Sequence, residues 1–194
     1  NFNRPGTPEA RRVSRNTVAR WLRGYDHGED GARHSDPLWK PDFTNPDDQI
    51  ELSFRDLIEL RFVKAFRDLG LGLPTIRECY KQAAKELKDD RPFSTQKFRT
   101  DGKTIFLHIT EKDHEGKMID LKKRQQVFRS FIEPSLRDLE FDASTVARWY
   151  PLGMAKKSVI IDPSRSFGRP IVSAGVPTAI IVEALKTEGS ADAV

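Results

Sequence analysis

The chain has 194 residues and a mass of 22.2 kDa, one large domain or two small ones. It is 37% hydrophobic with twelve Phe and three Trp, enough apolar material for a core, which excludes a disordered chain. No apolar run reaches the roughly 18 residues of a membrane span; a single cysteine, Cys79, excludes an intrachain disulfide and a thiolate zinc cluster, and a net charge of +4 selects no partner.

The charge is unevenly spread. Residues 1–25 hold Arg4, Arg11, Arg12, Arg15, Arg20 and Arg23 against Glu9, a local excess of +5 that leaves the remainder at −1. Within this block Ser14-Arg-Asn-Thr17, followed by Val18, Ala19, Trp21 and Leu22, predicts a capped helix ended by Gly24. Residues 26–48 are rich in Asp, Gly and Pro and predict a hairpin around Gly28–Gly31.

Two helices follow. The first opens at Ser53-Phe-Arg-Asp56, a capping box with Asp in place of Glu or Gln, and carries Phe54, Leu57, Ile58, Phe62, Val63, Phe66 and Leu69 at helical spacing up to Gly70. The second is expected after Pro74, from the box Thr75-Ile-Arg-Glu78, with Ile76, Tyr80, Ala83, Ala84 and Leu87. The joint Gly-Leu-Gly-Leu makes them an angled pair. Cys79 falls on the apolar side, the position of a small buried hydrophobe rather than a reactive thiol.

Residues 97–109 carry Phe98, Ile105, Leu107 and Ile109 around Asp101-Gly102, which predicts a hairpin. A turn is expected at 113–116, then a helix from Leu121 to Leu139 with Val127, Phe128, Phe131, Ile132 and Leu136 on one stripe, kinked or restarted at Pro134. That helix suits a dimer surface and the core of a middle domain equally. Lys122-Lys-Arg124 reads as a solvated first turn. Ser158-Val-Ile-Ile161 predicts a strand, and Pro177 precedes a helix with Ile180, Ile181, Val182 and Leu185 that Gly189 ends. The chain begins at Asn1 rather than Met, and Ser190 caps a helix that nothing fills, so both ends read as cut short.

Catalytic signals are sparse. Neither the phosphate loop Gly-x-x-x-x-Gly-Lys-Ser/Thr nor Gly-x-Gly-x-x-Gly is present, so no nucleotide cofactor is expected. His27, His34, His108 and His114 form no i, i+4 metal-ligand pair, so no metal is expected either. Pro41-Asp42 with Glu86-Leu-Lys88 imitates a nuclease metal site, but Glu86 and Lys88 fall on a helix, where i and i+2 do not share a face. The residues favour a binding protein over an enzyme.

Thr17-Val-Ala-Arg-Trp-Leu-Arg-Gly-Tyr25, Ser53-Phe-Arg-Asp-Leu-Ile-Glu-Leu-Arg61 and Leu69-Gly-Leu-Gly-Leu-Pro-Thr-Ile-Arg77 together resemble the MerR-like winged helix-turn-helix. In that family a recognition helix is followed by a wing and an angled helix pair. Here an Asp/Gly/Pro stretch ending in Leu38-Trp39 replaces the usual wing, and only Glu9–Val13 is available for the family's first helix. The cysteine set of metal-sensing members is missing. Ile161-Asp-Pro-Ser-Arg-Ser-Phe-Gly-Arg-Pro-Ile-Val172 with Gly175-Val-Pro-Thr178 resembles the domain-of-unknown-function family 433, although Ser173-Ala174 replaces a basic residue and a Gly. The whole chain is similar to longer VapB-type antitoxins that join both modules.

The resemblance implies a mainly α fold with small β-hairpins. It comprises a winged helix-turn-helix over 1–90, a middle α+β region over 91–157, and a partial helix-turn-helix module over 158–194. It implies a cytoplasmic, DNA-binding antitoxin that neutralises a PIN-like ribonuclease toxin and represses its own operon as a homodimer on double-stranded operator DNA, with no membrane partner. Arg15, Asn16 and Thr17 at the N-terminal turn and Arg20 on the next are the candidate base and phosphate contacts, with Arg23, Arg33 and His34 on backbone. Arg165, Phe167 and Arg169 are candidate toxin contacts, although Phe167, Gly168 and Pro170 also suit a role in shaping the turn. The competing reading is a stand-alone MerR-like regulator that responds to a small apolar ligand.

Overall fold

The computed structural model describes residues 13–43, 50–68, 70–111, 125, 129 and 132–190. The chain divides into two compact units, residues 1–51 and 52–194, so the boundary expected at residue 90 falls inside the second. The expected first helix at Glu9–Val13 lies outside the described residues except Val13, which is not helical. The turn at 113–116, Lys122–Arg124, Val127, Phe128, Phe131 and the helix expected after Ser190 also lie outside them.

The first unit contains α1 (Arg15–Arg23) and the antiparallel hairpin β1 (Tyr25–His27) and β2 (Arg33–Ser35), paired Tyr25↔Ser35, Asp26↔His34 and His27↔Arg33. Trp21 and Leu22 of α1 are buried with Leu38 and Trp39. The Leu38 N–H donates to Trp21 O at 2.8 Å, which ties the returning chain to the helix. Gly24 ends the helix at φ +77°, and a Cβ there would meet Ser35 O at 2.5 Å, so both conformation and space demand glycine.

The second unit is built on α2 (Phe54–Asp68) and α3 (Leu73–Leu87). The Ser53 capping box forms with Asp as its far member: Asp56 N–H donates to Ser53 Oγ at 3.0 Å and Ser53 N–H to Asp56 Oδ2 at 3.2 Å. The start of α3 differs from expectation. It begins at Leu73 with Gly72 as N-cap, because a proline in the first turn sacrifices only an N–H that has no intrahelical acceptor. Thr75 is therefore inside the helix, and buried.

Asp101-Gly102 does not form a hairpin. Residues Gln96–Glu111 are a single helix, α4. Thr95 Oγ1 accepts the Phe98 N–H at 3.0 Å and so starts it, and Gly102 lies against the Phe98 ring, where a Cβ would come within 3.1 Å. Burial of Phe98 outweighs the roughly 1 kcal/mol that a mid-helix glycine costs. Between α3 and α4 a 3-10 turn, Pro92–Ser94, places Phe93 at the centre of the core. Its ring lies 5.7, 5.5, 5.4 and 4.9 Å from those of Phe62, Phe66, Tyr80 and Phe98. Ile58, Val63, Ile76, Cys79 and Ala83 complete that core.

The helix expected to reach Leu139 also changes character. Pro134 sits in the first turn of a short α5 (Glu133–Arg137), and Leu139 begins a strand. Ile132, Leu136 and Leu139 are buried within the chain and serve its core. The hairpin of the middle region is β3 (Leu139–Phe141) with β4 (Val146–Trp149), its turn held by Asp142 Oδ1 accepting from Ser144 and Thr145 N–H groups. A second small sheet pairs β5 (Val159–Ile160) with β6 (Ile171–Val172), and Trp149 bonds reciprocally with Ile161 to connect the two. The last helix, α6 (Thr178–Glu188), ends at Gly189 as expected. The protein is thus mainly α with small antiparallel hairpins. Among the described residues, no helix is long and apolar enough to cross a membrane.

Candidate nucleic-acid interface

At the start of α1, Ser14 Oγ accepts the Thr17 N–H at 3.1 Å and lies 2.9 Å from Thr17 Oγ1. The cap removes a dangling amide and stabilises the helix by about 1 kcal/mol. It also occupies Thr17, whose hydroxyl is engaged with Ser14 rather than presented outward. At about 100° per residue, Asn16, Arg20 and Arg23 fall within roughly 60° of one another. They lie opposite the face that buries Trp21 and Leu22, and all three are exposed. Arg15, in the first turn, is exposed as well but falls roughly 80° or more from the strip, on the side of Leu22.

The Arg20 guanidinium stacks on the Tyr25 ring at 4.2 Å from its centroid. Stacking restricts a long side chain before any ligand arrives, which lowers the ordering cost of a later contact. Tyr25 carries this role from the first residue of the hairpin, and the sequence reading missed it. The only signal was an aromatic five residues after Arg20, across the Gly24 turn.

On the hairpin, Arg33 is exposed. His34 is not equivalent to it: Nδ1 lies 2.6 Å from Asp26 Oδ1, and Nε2 lies 3.9 Å from Asp36. A phosphate approaching His34 meets these carboxylates first. The candidate strip is thus Asn16, Arg20 and Arg23 on α1, while Arg15 in its first turn and Arg33 on β2 are exposed cations outside it.

In the second unit, Arg165, Phe167 and Arg169 share one tight turn between β5 and β6. Ser166, Phe167 and Gly168 have φ of +48°, +55° and +71°, three successive left-handed residues. For the two L residues this costs about 1–2 kcal/mol each. Gly168 fits its conformation, and Pro170 O accepts the Thr178 N–H at 2.9 Å, so both shape the turn. The Phe167 ring packs against nothing in the turn, since the residue is 100% exposed. The base of the turn is rigid. Buried Asp162 accepts from Ser164 N–H at 2.9 Å, Ser164 Oγ at 2.6 Å and Arg148 Nε at 2.8 Å, and Arg148 also bonds Glu140 at 2.6 Å. Burial raises the Asp162 pKa, but the hydrogen bonds from Ser164 and Arg148 outweigh it and hold the carboxyl below its usual range.

Among the described residues, no group of three or more His, Cys, Asp or Glu could hold a metal ion. The crystal structure of Rv2018 from Mycobacterium tuberculosis matches this chain with a TM-score of 0.60, over 90% of this chain and 81% of that one, at 19% sequence identity. At that identity the likeness is one of fold. No family model and no curated protein matches the chain.

Proposed function

We propose that the chain is a DNA-binding antitoxin of a type II toxin-antitoxin system, which neutralises a PIN-like ribonuclease and represses its own operon as a homodimer. The observation that carries the DNA-binding half is the outward strip of Asn16, Arg20 and Arg23 on a capped helix whose opposite face is buried. Asn pairs with adenine and Arg with guanine or phosphate, so the strip has the chemistry of a major-groove reader. The antitoxin half rests on the resemblance of 161–178 to family 433 and on the exposed turn around Phe167.

Two measurements test the two halves separately. The full chain is expected to bind its own promoter with an affinity that falls steeply with added salt. Arg20→Ala is expected to raise Kd roughly 10- to 100-fold. Retention of full affinity in that variant removes the recognition-helix assignment. The chain is also expected to co-purify with the ribonuclease encoded beside it, and absence of that complex ends the antitoxin reading.

A further inference from the structure

We infer that the Arg165–Arg169 turn is a pre-formed anchor whose Phe167 ring enters an apolar, carboxylate-rimmed pocket on the ribonuclease partner. The inference rests on the antitoxin reading and specifies its partner-facing element. Phe62, Phe66, Phe93 and Phe98 are buried, whereas Phe167 has no protein contact on either ring face. A ring that is bare on all sides is a knob and needs a concave receptor. A stacking platform for single-stranded nucleic acid is the opposite arrangement, with its ring backed by a sheet.

The turn is held in place before binding. Arg165 N–H donates to Asp162 O, Gly168 N–H to Arg165 O and Arg169 N–H to Ser166 O, at 3.0, 3.0 and 3.1 Å. Beneath it the Asp162 carboxylate is fixed by Ser164 and by Arg148 of β4. A side chain presented by a rigid turn gives up little entropy on docking. A Cβ on Gly175 would meet Arg165 Nη2 at 3.1 Å, so that guanidinium lies against the next turn rather than sweeping through solvent. Arg165 and Arg169 stand two residues to either side of Phe167 in the same turn and are both exposed, and guanidinium groups carried with an aromatic knob select carboxylates around the receiving pocket. A single exposed Phe with two Arg is too small a signal for stable membrane attachment.

The test uses the full chain and the ribonuclease encoded beside it, with Kd measured by titration calorimetry for the wild type, Phe167→Ala and Phe167→Asn. Asn accepts the left-handed conformation, so it removes the ring while keeping the turn. Both variants are expected to raise Kd at least about 30-fold. Operator affinity and the thermal midpoint are expected to hold. If the wild type forms no complex, the antitoxin reading falls and takes the anchor with it. If the wild type binds and both variants bind equally well, the anchor alone is wrong. Loss in Phe167→Ala with full binding in Phe167→Asn would assign the effect to turn shape and overturn the role of the ring. Phe167-dependent binding to anionic phosphatidylglycerol vesicles or to a single-stranded oligonucleotide, with an unaltered ribonuclease complex, would overturn it as well.

Discussion

Arg91→Met is expected to destabilise the 52–194 unit by about 3–5 kcal/mol, since it breaks a buried ion pair and leaves one charge behind. Arg91 Nε donates to Asp56 Oδ1 at 2.7 Å, with the two side chains 6% and 0% exposed. The pair sits within a larger lattice that fastens α2 to the turn before α4. Arg55 donates to Ser94 Oγ, Asp89 Oδ1 and Arg91 O at 2.8, 2.6 and 2.7 Å, and the Tyr80 hydroxyl donates to Asp90 O. Without the guanidinium, Asp56 is a carboxylate in a region that also buries Phe93. For a chain of this size the loss corresponds to a fall of roughly 6–20 °C in the unfolding midpoint. The double variant Asp56→Leu, Arg91→Met is expected to regain much of it, because both desolvation penalties vanish together. It would still fall short by about 1 kcal/mol for the lost capping contact at Ser53. Urea unfolding followed by far-UV circular dichroism measures both. A loss below about 1 kcal/mol in the single variant would mean that the pair contributes no more than a surface bridge.

The pairing at the heart of that lattice was not legible in the sequence, because Asp56 and Arg91 are 35 positions apart and Asp56 reads locally as a helix cap, Arg91 as a surface charge. Local signals served well where they act locally. Ser14 and Gly24 bracket α1, Gly28–Gly31 lies in the first hairpin, and Ser53 with Asp56 starts α2. They misled where burial competed with them. Asp101-Gly102 is a strong turn pair, yet Thr95 opens a helix upstream and Phe98 needs its place in the core. Strands of two to four residues, such as β4 and β6, are too short to show a period of two, so the middle hairpin lies some forty residues beyond the Asp101-Gly102 signal. The outward strip of α1 was readable because helical spacing alone separates Asn16, Arg20 and Arg23 from Trp21 and Leu22. The contacts that select among them depend on hairpin register, which puts Asp26 opposite His34. Likewise, the sequence left Phe167 open between shaping the turn and meeting a partner, and only its exposure separates it from Gly168.

Glu59→Gln is expected to remove a pH dependence of stability and so reverse the order of the two chains between acid and alkaline pH. Glu59 is fully buried on α2, and burial pushes its carboxyl from the ordinary 4.5 up to about 8. The Phe93 and Ser94 N–H groups, which donate to its two oxygens at 3.2 and 2.9 Å, pull the other way and do not prevail. The folded chain therefore holds a proton that the unfolded chain releases between pH 4.5 and 8. The stabilisation is complete below the unfolded value and is lost as pH rises through the folded one, at about 1.4 kcal/mol per unit. Glutamine cannot ionise, but its amide accepts only one of the two backbone donors well, which costs about 1–3 kcal/mol at the acid end. The variant should thus be the less stable protein near pH 4.5, cross the wild type at about pH 5–7, and be the more stable by roughly 2–3 kcal/mol at pH 8.5. Glu140, held low first by the Tyr150 hydroxyl, and Asp142, held low by the Thr145 and Ser144 amides, do not enter this window. Their contributions are present above the unfolded carboxylate value and are lost only as the solution becomes more acid still. Chemical denaturation of both chains across pH 4.5–8.5 reads the difference directly, since every other titrating group is common to the two. Parallel profiles with no crossing would place the slope elsewhere in the molecule and show Glu59 ionised in the folded state throughout.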